Sequence, residues 1–298
     1  MQARELTLAL PHLRLTARAW GDPALPPLLA LHGWLDNAAS FDAIAPDLSA
    51  HFYFVALDFA GHGRSDHAPP GIAYRFVDGV IDVLAAADVL GWSQFNLLGH
   101  SMGGTIASLT AAASPERVQR LIAIEALGAL TTPAEQTTAQ LRRGITQARD
   151  IANKPLRVFP TADEAIAARV QANGLSRAAA QLLVLRGIRP VPGGWSWSSD
   201  PRLTTASLQR FTEAQVLDLV RHIEAPTLLI MAPDSTVKPV TEAAFAERIA
   251  AVPQIDVRQL AGGHHLHLEN PQPVAQAILE FLQRTSLRET VSANAAQG

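Results

Sequence analysis

Cysteine is absent from the 298-residue sequence, which excludes disulfide bonds, thiolate metal ligands and a cysteine nucleophile. Runs of lysine and arginine are also missing, and the formal net charge is only −3. The sequence therefore has no electrostatic footprint for nucleic acid or for an anionic membrane. No apolar run approaches the roughly 18 residues that cross a bilayer, so no membrane span is expected.

The first twenty residues lack the unbroken apolar stretch of a signal peptide. They alternate apolar with polar side chains and carry Glu5 early, a pattern typical of a strand. Together these absences predict a soluble, cytoplasmic protein with no nucleic-acid partner. The sequence leaves its oligomeric state open.

What the sequence does contain is core-forming material, with 48% hydrophobic and 17% charged residues. Apolar runs typical of strands alternate with segments of helical periodicity. Strands are predicted at 6–10, 13–19, 27–31, 54–58, 95–99, 121–125, 227–231 and 255–260, and helices at 78–90, 102–113, 242–251 and 273–282. This alternation predicts an α/β fold, with a mostly parallel eight-stranded sheet and helices on both faces.

The alternation is interrupted once, between about residues 127 and 218. This stretch contains helical patterns that begin after Thr161 and Ser176, and a proline- and glycine-rich loop at 190–195. We expect an inserted helical lid at 128–218, within a core formed by 1–127 and 219–284. The polar, small-residue stretch 285–298 is expected to be a flexible tail.

Residues 99–103, Gly-His-Ser-Met-Gly, match the G-x-S-x-G nucleophile elbow. The motif directly follows an apolar strand and directly precedes a helix, as it does in enzymes that use it. The flanking glycines avoid collision with the neighbouring strand and helix, and the helix N-terminus favours developing negative charge. The pattern predicts that Ser101 is a nucleophile.

Three histidines follow the last predicted strand, at His264, His265 and His267. In this kind of triad the chain order is nucleophile, acid, histidine, so a late histidine on a loop fits the general base. His264 follows a Gly-Gly turn that would lift it over the strand ends, and it is the predicted base. The other two are expected to be structural or to line the pocket. Without an H-E-x-x-H helix or a second ligand cluster, no metal is predicted.

An oxyanion hole needs two backbone N–H groups that converge on one oxygen. The loop at 31–36 follows the third strand and supplies the first, from Trp34. The elbow supplies the second, from Met102.

With these motifs in place, the sequence resembles a known family. Residues 32–34, 58–65 and 99–104 resemble the α/β-hydrolase superfamily. Residues 31–38, 262–268 and 191–197 look more narrowly like its serine hydrolase-like proteins. The resemblance covers nearly the whole chain and implies the α/β-hydrolase fold, a lid, a triad and no cofactor. It implies no substrate.

The acid that orients the histidine has two candidates. Asp234 is the carboxylate in the loop after the seventh strand, the commonest position, but it lies one residue earlier than the usual spacing before Pro239. Glu125 ends the sixth strand, where some relatives, including certain haloalkane dehalogenases, and the serine hydrolase-like group carry an acid. A strand-end carboxylate capping the lid is the alternative role of Glu125. We favour Glu125 over Asp234.

These residues predict hydrolysis of a small, apolar ester through an acyl-enzyme. Trp195, Trp197 and His100 are the predicted pocket residues. The same triad also cleaves thioesters, lactones, amides or carbon–carbon bonds of diketones, since fold and triad do not choose among them. A ligand-binding signalling protein with an intact triad is the non-enzymatic alternative.

Overall fold

A computed structural model describes residues 2–151, 157–237 and 240–295, with side chains described up to Arg284. It contains ten described strands: β1 (Arg4–Ala9), β2 (Arg14–Trp20), β3 (Pro27–Leu31), β4 (Tyr53–Leu57), β5 (Phe95–His100), β6 (Val118–Ile124), β7 (Ile188–Val191), β8 (Gly194–Trp197), β9 (Thr227–Met231) and β10 (Ile255–Gln259). Eight form one sheet in the order β1-β2-β4-β3-β5-β6-β9-β10, and β7 pairs with β8 separately. Only the β1–β2 and β2–β4 pairs of the large sheet are antiparallel. The predicted mostly parallel, eight-stranded sheet is confirmed.

The central strands are buried on both faces, which explains their continuous apolar sequences. In β3, Leu29 and Leu31 point into one hydrophobic cluster while Leu28 and Ala30 point into another. Because successive side chains of a strand face opposite ways, the sheet separates two cores. Helices cover each of them.

The described helices are α1 (Ala45–Leu48), α2 (Asp78–Val89), α3 (Met102–Ala113), α4 (Thr137–Asp150), α5 (Ala162–Asn173), α6 (Arg177–Gly187), α7 (Glu213–Arg221), α8 (Glu242–Ala251), α9 (Leu266–Glu269) and α10 (Pro271–Ala295). Helix α10 is longer than the predicted 273–282, since no proline or glycine follows Pro273 before Gly298 to end it. The flexible tail predicted at 285–298 remains a prediction, because its side chains and residues 296–298 lie outside the described part. Among the described helices, none has the length and apolar character to cross a membrane.

Helices α4, α5 and α6 and the β7–β8 hairpin lie between β6 and β9, in the stretch predicted as a lid. Thr161 and Ser176 cap α5 and α6 by accepting hydrogen bonds from the backbone N–H groups of Glu164 and Ala179. The predicted loop at 190–195 is instead mostly hairpin, because Pro192 and Gly193 form a two-residue turn between paired Val191 and Gly194, with Gly193 at a positive φ of 86°.

The predicted lid boundary between residues 218 and 219 falls inside one helix. Helix α7 spans it, and its Val216 and Val220 are buried in the main core. The apolar face of α7 therefore packs this helix against the core.

Candidate active site

Ser101 occupies a sharp turn between β5 and α3, with φ 52° and ψ −116°. A Cβ atom on Gly99 would lie 2.3 Å from the carbonyl oxygen of Gly103, and one on Gly103 would lie 2.0 Å from that of Leu31. Both glycines are thus required by close backbone contacts. Positive φ at a serine is strained and persists because the surrounding strand and helix enforce it.

Three side chains predicted from sequence meet at this turn. His264, on the loop between β10 and α9, places its Nε2 atom 3.0 Å from Ser101 Oγ. Its Nδ1 atom lies 3.2 Å from Glu125 Oε2. If Nδ1–H donates to the carboxylate, Nε2 is left free to accept the serine proton.

Glu125, rather than Asp234, is the acid beside His264. Glu125 follows β6 with φ 61° and is 4% exposed. Its other carboxylate oxygen, Oε1, accepts a hydrogen bond of 2.6 Å from the backbone N–H of Ala232. Asp234 is exposed, and within the described residues it forms neither an ion pair nor a side-chain hydrogen bond. The structure therefore favours the first of the two predicted acids.

The two predicted oxyanion donors lie at the same cavity as Ser101. Met102 is the first residue of α3, where backbone N–H groups have no helical acceptor. Across the described chain, neither its N–H nor that of Trp34 donates to a protein acceptor. The indole of Trp34 is 53% exposed, and its Nε1–H donates to the carbonyl oxygen of Leu203, 2.9 Å away. This bond, which the sequence did not indicate, joins the loop at 31–36 to the inserted segment.

His100 does not line the cavity, contrary to prediction. It is fully buried beneath the site, and its Nε2–H donates to the carbonyl oxygen of His264 at 2.8 Å. Burial, together with the neighbouring His267 and His265, holds the pKa of His100 well below its ordinary value. The imidazole is therefore neutral, with its proton on Nε2. The alternation of β5 turns this residue away from the cavity.

A buried charged group supports this histidine cluster. Asp36 pairs with Arg169 of α5 through Oδ1, and its Oδ2 lies 3.3 Å from His265 Nε2. Burial favours the protonated carboxyl, but the neighbouring His265 ring and the Arg169 guanidinium hold the pKa of Asp36 below its ordinary range. The result is a carboxylate between the inserted segment and the loop that carries His264 and His265.

Asp36, His100 and His265 also form the one group within the described chain that could surround a metal ion, with ligand atoms within 4.8 Å of one another. No metal was predicted from the sequence. The carboxylate already has a cationic partner in the guanidinium of Arg169, which accounts for its burial without a further cation.

A cavity of about 780 Å³ opens in front of Ser101. It lies between the 59–82 segment, which contains the connection from β4 and the start of α2, and residues 202–210 of the insertion. Its apolar lining includes Phe59, Ile72, Phe76, Ile81, Ile106, Leu130 and Leu203. Sequence reasoning missed this wall, because 66–75 resembles an ordinary polar loop and gives no periodic signal.

The predicted pocket residues Trp195 and Trp197 lie elsewhere, and this prediction is wrong. Trp195 exchanges backbone hydrogen bonds of 2.8 and 2.7 Å with Phe159. The ring of Trp197 packs edge-on against that of Phe159, with centroids 5.1 Å apart. The hairpin directs both residues into the packing of the insertion, so neither lines the cavity.

Comparison with known proteins adds to this geometry. The model of a family described as having the alpha/beta hydrolase fold matches residues 26–271. A serine hydrolase-like protein of Danio rerio is 33% identical over 99% of this chain and 93% of its own length. The crystal structure of a hypothetical protein from Pseudomonas aeruginosa PAO1 has 40% identity and a TM-score of 0.88, covering 94% of this chain and 99% of that one. A thioesterase domain from the curacin biosynthetic pathway has 25% identity and a TM-score of 0.82, covering 94% of this chain and all of that domain.

Proposed function

Because the chain belongs to the α/β-hydrolase family, with serine hydrolase-like proteins among its relatives, we propose that it hydrolyses a carboxylic ester through an acyl-enzyme on Ser101. The observation that carries the proposal is the continuous contact from Ser101 Oγ through His264 to Glu125. A nucleophile, a base and an orienting acid in this relation are the parts of a serine hydrolase triad.

The reaction begins when Ser101 Oγ attacks the ester carbonyl and its proton passes to His264 Nε2. The N–H groups of Trp34 and Met102 receive the oxyanion. His264 then protonates the leaving alcohol as the carbon–oxygen bond breaks. In the second half, His264 takes a proton from water, hydroxide attacks the acyl-enzyme, and Ser101 recovers its proton as the acid leaves. Glu125 fixes the imidazole tautomer and stabilises its cationic form.

The cavity supports a small-molecule substrate with an apolar body. Its lining is mainly aliphatic and aromatic, and its size of about 780 Å³ lies within the range of small-molecule sites, roughly 300–1,000 Å³. Likeness to a thioesterase domain makes a thioester the second candidate, because the same acyl-enzyme forms from either bond.

A fluorophosphonate probe tests the nucleophile, since it modifies activated serines. We expect one adduct per chain, on the peptide that contains Ser101, and none in Ser101→Ala. Persistent labelling of that variant would refute the assignment. Steady turnover of p-nitrophenyl butyrate tests the enzyme activity itself, because a ligand-binding protein on this fold would give no turnover or a single burst.

A further inference from the structure

Three arginines line the cavity in front of Ser101, and two are neutralised by the protein. Arg75 Nε donates to Asp78 Oδ2 at 2.9 Å, and Arg202 Nη2 lies 2.6 Å from Asp200 Oδ2. These two cations are therefore occupied in holding the cavity wall together.

The carboxylates that line the cavity are likewise paired with other residues. Asp82 binds His12 at 2.9 Å, Glu125 lies beside His264, and Asp78 is paired as described. No carboxylate of the lining is thus left to balance the third arginine.

Arg210, the third arginine, is half-buried at the cavity wall. Within the described residues it has neither an ion-pair partner nor a hydrogen-bond acceptor. Burial lowers the pKa of its guanidinium, and the charge of Arg143 on α4 lowers it further. No neighbouring carboxylate acts in the opposite direction. A guanidinium nevertheless stays protonated in proteins, so positive charge remains uncompensated at this point of the cavity.

Keeping an unpaired charge partly out of water costs free energy unless a counter-ion binds. Guanidinium groups recognise carboxylates and phosphates through paired hydrogen bonds. An anionic group of a bound substrate would supply the missing partner, and Arg143 would add to the attraction.

We propose that Arg210 forms an anion-binding subsite of the active-site cavity, and that the substrate carries a carboxylate or phosphate in addition to the acyl bond that Ser101 attacks. An apolar segment facing the aliphatic and aromatic lining would join the two groups. This inference rests on the proposed function for the position of the scissile bond, but the subsite itself rests on Arg210.

The anion could belong to the acyl group or to the leaving group, and two pairs of substrates separate these sources. The acyl pair is p-nitrophenyl hexanoate and mono-p-nitrophenyl adipate, which differ in a terminal carboxylate. The leaving-group pair is S-hexanoyl-pantetheine and S-hexanoyl-4′-phosphopantetheine, which differ in the phosphate of the thiol. Each is assayed with the natural chain, Arg210→Met and the control Arg142→Met, which removes one positive charge from exposed α4.

In Arg210→Met we expect kcat/KM for the anionic member of one pair to fall at least ~10-fold, as loss of a charged hydrogen bond predicts. The neutral member should change by less than about twofold, and Arg142→Met should behave like the natural chain. Arg210→Lys should recover part of the loss, because it keeps the charge without the planar fork. Equal effects on the neutral and anionic members of both pairs would overturn the subsite.

Calorimetry separates failure of the subsite from failure of the proposed function. Adipate and 4′-phosphopantetheine are titrated into Ser101→Ala and into the Ser101→Ala, Arg210→Met double variant. Binding that requires Arg210, in a chain that turns over none of the four substrates, would support the subsite and refute the ester hydrolase. Absence of both binding and discrimination would refute the subsite. A melting temperature for Arg210→Met at or above that of the natural chain shows that the variant folds; if it does not fold, Arg210→Gln takes its place.

Discussion

His100 and His264 are joined by a hydrogen bond of 2.8 Å from the His100 Nε2–H to the His264 carbonyl oxygen. The residue before the proposed nucleophile thus holds the backbone of the proposed base, and this one contact beneath them helps to position both side chains. His100 is a positioning residue, because it touches neither substrate nor reacting atoms.

His100→Phe keeps the buried volume and removes the donor, leaving a buried carbonyl oxygen unpaired. We expect kcat for p-nitrophenyl butyrate to fall about 10-fold with KM nearly unchanged, as expected from roughly 1–3 kcal/mol for such a group. His100→Gln offers a replacement donor and should recover part of kcat. A parallel rise in KM in both variants would indicate general disruption of the cavity.

Glu125→Gln should lower kcat by about 10³–10⁴-fold, because the amide keeps the shape but cannot fix or stabilise the histidine as a carboxylate does. Asp234→Asn is the matched control, since this exposed side chain should leave kcat unchanged. Steady-state kinetics on one ester compare the two. Full activity in Glu125→Gln with loss in Asp234→Asn would transfer the role to Asp234.

Acid should destabilise the fold partly through His267. Burial, with help from the neighbouring His265, lowers the pKa of His267 to about 3, whereas an unfolded histidine titrates near 6.5. Between these values only the unfolded chain binds the proton, so the free energy of unfolding falls as pH falls from about 6.5 towards 3.

This histidine should add about 1.4 kcal/mol per pH unit to that slope. His267→Phe should remove the contribution, giving a shallower loss of stability in urea titrations at pH 7, 6 and 5. An unchanged slope would show that other groups determine the acid sensitivity.

Removing only one partner of the ion pair between Arg169 and Asp36 should lower the free energy of unfolding. The side chain of Asp36 is 1% exposed and that of Arg169 13% exposed, so Arg169→Met leaves a buried carboxylate without its guanidinium. We expect a loss of about 3 kcal/mol in the free energy of unfolding, measured in urea at pH 7. The Arg169→Met, Asp36→Asn double variant should recover much of it.

The pair Arg177–Asp163 provides an exposed control, since Asp163 lies on α5, the helix that also carries Arg169. Both side chains are more than half exposed, and Arg177→Met should cost less than about 1 kcal/mol. Similar losses at the two pairs would contradict a special role for burial.

The strands, and Ser101 and His264 as two residues that meet in the structure, could be predicted because their signals are local. Ser101 and His264 each follow an apolar strand within a few residues, so chain order and spacing were sufficient. The choice between Glu125 and Asp234 depended on which carboxylate faces His264, a direction set by the backbone turn after β6. The spacing of residues in the sequence limited the candidates for the acid to these two residues but did not choose between them.

The pocket was harder to predict because distant segments build it. Trp34 meets Leu203 across 169 positions, and the wall near Ile72 comes from a loop without periodicity. The tryptophans of β8 were conspicuous in sequence, but the pairing of this hairpin turned them into the insertion's own packing. The aromatic character of these tryptophans predicted that they are buried. It could not indicate whether they pack against the cavity or within the insertion.

Because the acid follows β6, nucleophile and acid extend from two neighbouring strands whose register pairs His100 with Ile124. The backbone ladder of the sheet, rather than any loop, therefore sets their separation. In the proposed mechanism the loop after Ala232 supplies no catalytic group, although its Val237 still borders the cavity. Insertions or exchanges in 233–237 could diversify substrate choice over evolution, or in a designed library, while the catalytic alignment stays constant.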